Sequence, residues 1–79
     1  MMFKIYGKEG CVACEQAKAF LESKKLKYKY FKLDKDYSID DLRMIFGDSV
    51  NSVPQITAES ESLGTVIVGG LNQLRRFDI

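Results

Sequence analysis

Apolar and polar residues alternate in two short segments that flank a longer segment with helical periodicity. The alternating segments are residues 2–6 and residues 27–33, and both are rich in residues that favour strands. Between them, over residues 12–25, the apolar positions repeat at helical spacing: Ala13, Ala17, Phe20 and Leu21. The pattern therefore predicts a β-strand, an α-helix and a second β-strand in that order.

A second helix is predicted to begin after Ser38. Ser38 and Asp41 have the spacing of a capping box, with Asp in place of the usual Glu, and Gly47 is suited to end the helix. The predicted apolar face is Ile39, Leu42, Ile45 and Phe46.

The last third of the chain predicts a hairpin and a terminal helix. Residues 55–59 and 65–68 favour strands, and a polar turn containing Gly64 separates them. Gly69 and Gly70 interrupt the pattern, and apolar residues then follow at helical spacing: Leu71, Leu74 and Phe77.

This order, βαβ followed by α and then ββα, predicts an α/β protein. The first βαβ unit should pair two strands in parallel through a right-handed crossover, and the short turn should make the last two strands an antiparallel hairpin. We expect one domain, residues 1–79, in which three helices flank a four-stranded mixed sheet.

The balance of charge excludes several classes of function. Twelve Lys and Arg residues against eleven Asp and Glu leave a formal charge of +1, which argues against a nucleic-acid-binding protein. The lysines between Lys24 and Lys35 alternate with aromatic residues, which is typical of the solvated face of an edge strand. We see neither a signal peptide nor an apolar run that could span a membrane, so we expect a cytoplasmic protein. We also expect a monomer.

The chemistry of the chain is concentrated in its two cysteines, Cys11 and Cys14. A disulfide across so short a loop hardly constrains the unfolded chain, so a purely structural bridge is a poor explanation. Zinc needs four nitrogen or sulfur ligands and the chain has no histidine, while covalent haem attachment needs histidine where Glu15 stands. Two incidental cysteines on an inert scaffold remain an alternative to a redox-active dithiol.

The strand–loop–helix context supports the redox interpretation. Cys11 lies where the first helix is predicted to begin, and the free N–H groups there lower the pKa of a thiol from its usual value of about 8.5. Lys8 could add a positive charge nearby. Cys14 lies one turn further on and should be less exposed, so we predict that Cys11 attacks a substrate disulfide and Cys14 resolves the mixed disulfide.

At this point the sequence resembles the glutaredoxins, which belong to the thioredoxin superfamily. Beyond the initial strand, the resemblance rests on three segments: Lys8-Glu-Gly-Cys-Val-Ala-Cys14, Ser52-Val-Pro-Gln-Ile56 and Val68-Gly-Gly-Leu-Asn-Gln-Leu74. It extends over essentially the whole chain and is greatest with the small phage-type members that serve ribonucleotide reductases. It implies a thioredoxin-like fold and glutathione as the reductant, with no permanently bound cofactor and no metal.

The resemblance also implies a substrate groove. Val53-Pro54 would be a cis peptide bond beside the cysteines, with the Val53 backbone available to an extended thiol peptide. Gly70, Asn72 and Gln73 would bind the γ-glutamyl end of glutathione, with Asn72 a suitable N-cap for the last helix.

Lys8 matches a family position that pairs with a glutathione carboxylate, and Arg43 is a less secure candidate for the same task. Two departures from the family bear on glutathione affinity and on redox poise. Many glutaredoxins have acidic residues where this chain has Asn72 and Gln73, and Pro-Tyr where it has Val12 and Ala13.

The first alternative to a glutathione-dependent glutaredoxin is a short redoxin that thioredoxin reductase reduces. The second is a glutathione-dependent module that binds an iron–sulfur cluster between two chains.

Overall fold

The computed structural model describes residues 1–77, and its elements follow the predicted order. They are β1 (Met2–Gly7), α1 (Val12–Ser23), β2 (Tyr28–Lys32), α2 (Ile39–Phe46), β3 (Gln55–Ser60), β4 (Gly64–Gly69) and α3 (Leu71–Arg76). The strands form one sheet in the order β2-β1-β3-β4, in which β1 and β2 are parallel and the other two pairs are antiparallel. The predicted four-stranded mixed sheet with three helices is confirmed, and β2 lies at an edge as its lysines indicated.

One face of the sheet packs against α1 and α3 and forms the main core. Because side chains alternate along a strand, every second residue of β1 and β3 points to this face. The buried cluster is Phe3, Ile5, Ala17, Leu21, Ile56, Ala58, Val68 and Leu74. This core fixes the start of α1 against the end of β1, where both cysteines lie.

The other face of the sheet carries an aromatic cluster that packs against α2. Tyr6 of β1 stacks on Phe31 at 5.2 Å between ring centroids. It also makes edge-to-face contacts with Tyr37 and with Phe46 of α2, at 5.3 Å and 5.7 Å. The helix that supplies Phe46 begins as predicted, since Ser38 and Asp41 form a reciprocal capping box.

Two helix boundaries differ from the predicted ones. Helix α1 ends at Ser23 and not at Lys25, because Lys25 has a left-handed backbone with φ of 58°. The prediction that Asn72 caps the last helix is wrong: the N-cap is Gly70, and Asn72 lies inside α3. The backbone N–H of Gly70 is bound by the side chain of Gln73, so the capping role falls to a residue three positions further on.

The helices of the protein are short. Among residues 1–77, no helix combines the length and the apolar character needed to cross a bilayer.

Candidate active site

Cys11 and Cys14 form a disulfide at the junction between the β1–α1 loop and α1. Cys11 is the N-cap of the helix and is partly exposed, whereas Cys14 is completely buried. Their Cα atoms are 5.2 Å apart, and the backbone N–H of Cys14 donates a hydrogen bond of 3.2 Å to the Cys11 sulfur. The predicted difference in exposure is therefore present, with only Cys11 open to a substrate.

Gly7, the last residue of β1, lies directly beneath the buried sulfur. A β-carbon at this position would be 2.9 Å from Cys14 Sγ and 2.8 Å from Tyr30 Cζ, with the Tyr30 hydroxyl oxygen nearer still. These distances are shorter than a carbon atom can tolerate, so only glycine fits here. Gly7 thus brings the Cys14 sulfur and the Tyr30 phenol into the same small space.

Two tyrosine hydroxyls fix the start of the loop that leads to Cys11. Tyr37 Oη donates to the Gly7 carbonyl at 2.8 Å, and Tyr30 Oη donates to the Lys8 carbonyl at 3.0 Å. The backbone N–H of Leu33 also donates to the Gly7 carbonyl, at 2.8 Å. These side chains come from β2 and the segment after it, so the loop geometry depends on tertiary contacts.

Charged groups on α1 surround Tyr30. The Lys18 ammonium lies 4.3 Å from the centre of the Tyr30 ring, and Glu15 pairs with Lys18 at 2.7 Å. Burial raises the pKa of Tyr30 above its usual value, and the positive charge of Lys18 partly opposes this. The hydrogen bond that the Lys18 ammonium donates to the Glu15 carboxylate raises the pKa of Lys18 above its usual value.

A recess of about 340 Å³ opens beside the cysteines, between the loop before β3 and the start of α3. Its lining includes most of the residues predicted to bind glutathione: Val53, Pro54, Gly70, Asn72 and Gln73. Ser52, Gln55, Leu71 and Ala13, which lies between the cysteines, complete the lining. The Val53–Pro54 peptide bond is cis in the structure, and Pro54 is buried.

Lys8 and Arg43 do not line this recess. Lys8 is exposed in the loop before Cys11, and its carbonyl is bound by Tyr30. The Arg43 side chain bonds the carbonyl of Val50 at 3.4 Å and so holds the segment that leads to β3. The structure therefore joins five of the six predicted glutathione-binding residues in one recess, and Lys8 lies outside its lining.

Gln73 is already engaged within the recess. Its amide oxygen accepts a hydrogen bond of 3.0 Å from the backbone N–H of Gly70, and its aliphatic carbons approach Gly69, which has φ of 112°. A ligand that used the Gly70 N–H would have to displace this side chain.

Sequence reasoning missed Gly7, Tyr30 and Tyr37 as parts of the site. Gly7 is four positions before the first cysteine, and a glycine at the end of a strand was a usable signal for close approach. The two tyrosines gave no such signal, because strand residues of this type are normally explained by packing alone.

A buried cysteine bonded to an exposed, helix-capping cysteine can cycle between dithiol and disulfide without rearrangement of the fold. On a four-stranded mixed sheet with three helices, this arrangement defines a thiol–disulfide oxidoreductase of the thioredoxin superfamily. The family model for Glutaredoxin matches residues 3–63. The chain belongs to the glutaredoxin family.

Two solved structures show the same fold. Glutaredoxin 1 from Francisella tularensis, determined as a complex with cacodylate, has 22% identity and a TM-score of 0.69, over 95% of this chain and 88% of its own. NrdH-redoxin from Escherichia coli, a glutaredoxin-like protein with a thioredoxin-like activity profile, has 16% identity and a TM-score of 0.69, over 100% of this chain and 97% of its own. No curated protein sequence matches the chain significantly.

Proposed function

We propose that the protein is a dithiol glutaredoxin that carries electrons from glutathione to protein disulfides or mixed disulfides. The observation that carries this proposal is the recess that Ala13, the residue between the cysteines, shares with Val53, Pro54, Gly70, Asn72 and Gln73. A tripeptide thiol that lies in this recess would present its sulfur to Cys11.

The proposed reaction has two exchange steps in each direction. The Cys11 thiolate attacks a target disulfide, one target sulfur leaves as a thiolate, and a Cys11–target disulfide forms. The Cys14 thiolate then attacks the Cys11 sulfur and releases the second target sulfur. One glutathione thiolate reopens the Cys11–Cys14 disulfide by bonding to Cys11, and a second removes the first as glutathione disulfide.

Backbone groups supply much of the proposed binding. The N–H and C=O of Val53 suit antiparallel pairing with the extended cysteinyl residue of glutathione. Asn72 and Gln73 would contact the γ-glutamyl end through uncharged amides. The ammonium of that end would therefore gain no ion pair from these two residues, which predicts weaker binding than acidic residues would give.

A second candidate is a redoxin that a flavin-dependent thioredoxin reductase reduces. It is favoured by the fold match along the whole chain to NrdH-redoxin, whose activity profile is thioredoxin-like. The Gln73 side chain on the Gly70 N–H also favours it, because a γ-glutamyl carboxylate would compete for that donor.

A coupled assay separates the two candidates. The purified protein is supplied with a protein disulfide and either glutathione, glutathione reductase and NADPH, or thioredoxin reductase and NADPH. We expect NADPH oxidation with the glutathione system, abolished in Cys11→Ser. Turnover with thioredoxin reductase alone would reject glutathione as the reductant and establish the second candidate.

We further propose a ribonucleotide reductase as a protein target, and a monomer that works in the reducing cytoplasm. The same assay with an oxidised ribonucleotide reductase as the acceptor tests the target. Failure to restore deoxyribonucleotide synthesis, while a generic protein disulfide is reduced, would remove that target and leave the chemistry intact.

A further inference from the structure

Cys14 needs help to become a nucleophile. It is completely buried, and burial disfavours the charged thiolate that must attack Cys11. The chain contains no histidine, so the side chain that most often accepts or shares a proton near neutral pH is not available. A hydrogen-bond donor close to the sulfur would favour the thiolate in its place.

The Tyr30 hydroxyl is a candidate for this donor. At the β-carbon site above Gly7, the three nearest atoms are the Tyr30 hydroxyl oxygen, Tyr30 Cζ at 2.8 Å and Cys14 Sγ at 2.9 Å. The phenol and the buried sulfur are therefore neighbours, with no side chain on Gly7 to separate them.

The Tyr30 hydroxyl also makes a hydrogen bond that it could exchange for one to the sulfur. In the disulfide form it donates to the Lys8 carbonyl at 3.0 Å, at the edge of the site. Rotation about the Cζ–Oη bond would turn this hydrogen away from the Lys8 carbonyl and toward the side of the ring on which the sulfur lies. The Lys18 ammonium, 4.3 Å from the ring centre, holds the ring in place and favours donation from the hydroxyl.

We propose that Tyr30 is a positioning residue for the resolving step, whose hydroxyl turns from the Lys8 carbonyl to the Cys14 sulfur when that sulfur becomes a thiolate. The step is balanced. Cys14 gives its proton to water, its thiolate bonds to the Cys11 sulfur, and the bond between Cys11 and the substrate sulfur breaks. The substrate sulfur leaves with the electron pair and takes a proton from water. Tyr30 keeps its own proton throughout.

This inference rests on the proposed roles of Cys11 and Cys14, and a test without glutathione keeps the two questions apart. Protein reduced with dithiothreitol and then desalted is mixed with a slightly smaller amount of dipyridyl disulfide in a stopped-flow instrument. The first pyridinethione released reports attack by Cys11, and the second reports attack by Cys14. Absence of the first release would reject Cys11 as the nucleophile, and with it the proposed function.

Tyr30→Phe removes only the hydroxyl. We expect the second release to slow by about tenfold or more, the effect of losing one hydrogen bond to a charged group. The first release depends on the hydroxyl only through its bond to the Lys8 carbonyl and should slow much less. Tyr28→Phe is the matched control, because Tyr28 is on the same strand and face but its hydroxyl donates to Glu22. Both releases should keep their wild-type rates in this control.

A second variant keeps the test sharp if the phenylalanine protein folds poorly. Replacement of Tyr30 by 3-fluorotyrosine retains the ring and makes the hydroxyl a stronger donor, so the second release should accelerate. The inference is overturned if Tyr30→Phe leaves the second release unchanged, if it slows both releases equally, or if the fluorinated protein shows no acceleration.

Discussion

The hydroxyl of Tyr37 donates a hydrogen bond of 2.8 Å to the backbone carbonyl of Gly7, thirty residues earlier in the chain. The bond is buried and ties the segment before α2 to the last residue of β1. Because Gly7 lies next to the Cys14 sulfur, this hydrogen bond helps to fix the backbone on which the active site is built. A variant that lacks this hydrogen bond loses a structural support of the site but keeps both cysteines.

Tyr37→Phe should lower the free energy of unfolding by about 1 kcal/mol, the usual net value of one hydrogen bond. The Gly7 carbonyl keeps its bond from the Leu33 N–H, so no buried acceptor is left without a partner. Urea denaturation of the oxidised protein measures the change. A loss above about 3 kcal/mol would show that the hydroxyl supports more than this one bond.

Gly7→Ala should be more damaging, because its β-carbon would overlap the phenol of Tyr30 and lie 2.9 Å from Cys14 Sγ. We expect a loss of about 1–3 kcal/mol, the range for overpacked interiors, measured by the same denaturation experiment. Gly64→Ala is the control, since nothing lies within 4 Å of its β-carbon site and only its φ of 73° opposes the change. The two variants should also differ in the reactivity of the thiols, because of Gly7 and Gly64 only Gly7 lies beside a cysteine sulfur.

Stability should fall steeply at alkaline pH. Burial raises the pKa of Tyr37 to about 12, and burial together with the Glu22 hydrogen bond raises that of Tyr28 to about 12, from an ordinary value of 10.0. The unfolded chain loses these protons first, so between pH 10 and pH 12 it binds fewer protons and unfolding becomes easier. The raised pKa values of Lys4 and Lys18 act in the same direction.

We would measure the urea midpoint of unfolding from about pH 8 to about pH 11.5. The midpoint should stay constant at first and then decline above about pH 10. Tyr37→Phe removes one of the groups responsible and should make the decline shallower. A decline that is identical in the two proteins would contradict the assignment of a raised pKa to Tyr37.

Substitution of Cys11 and substitution of Cys14 should have different effects on disulfide reduction. Cys11→Ser should abolish reduction of every disulfide, because the exposed nucleophile is lost. Cys14→Ser should instead accumulate Cys11–target disulfides and retain only exchange with glutathione mixed disulfides. Mass spectrometry of the protein after incubation with an oxidised target detects the trapped species. Full reduction of protein disulfides by Cys14→Ser would contradict its role as the resolving residue.

Local patterns were sufficient to predict most of the fold. The capping box of Ser38 and Asp41 and the alternation in β1 depend on neighbours in sequence, and the structure contains both. The C-terminal end of α1 was less predictable, because Lys25 adopts a left-handed backbone conformation that is uncommon for lysine. Parallel pairing of β1 and β2 followed from the crossover rule alone.

The site was predictable only where its residues are close together in the chain. Cys11 and Cys14 share one helical turn, so their spacing revealed the pair. The contacts of Tyr30 and Tyr37 with the β1–α1 loop join residues more than twenty positions apart and follow from packing, which periodicity does not describe. Asn72 was wrongly predicted as a cap because Gln73 supplies the oxygen that bonds Gly70.

The hydrogen bond from the Cys14 N–H to the Cys11 sulfur makes the reacting atom part of the helix end. A thiolate accepts such a bond more strongly than a disulfide sulfur, so electrons that arrive at the site also secure the first turn of α1. Reduction therefore strengthens the cap of α1, and oxidation weakens it without removing it. The amide hydrogens of the first turn of α1 should accordingly exchange with solvent more slowly in the reduced protein than in the oxidised one, so the redox state of the sulfurs is readable in the backbone of the helix.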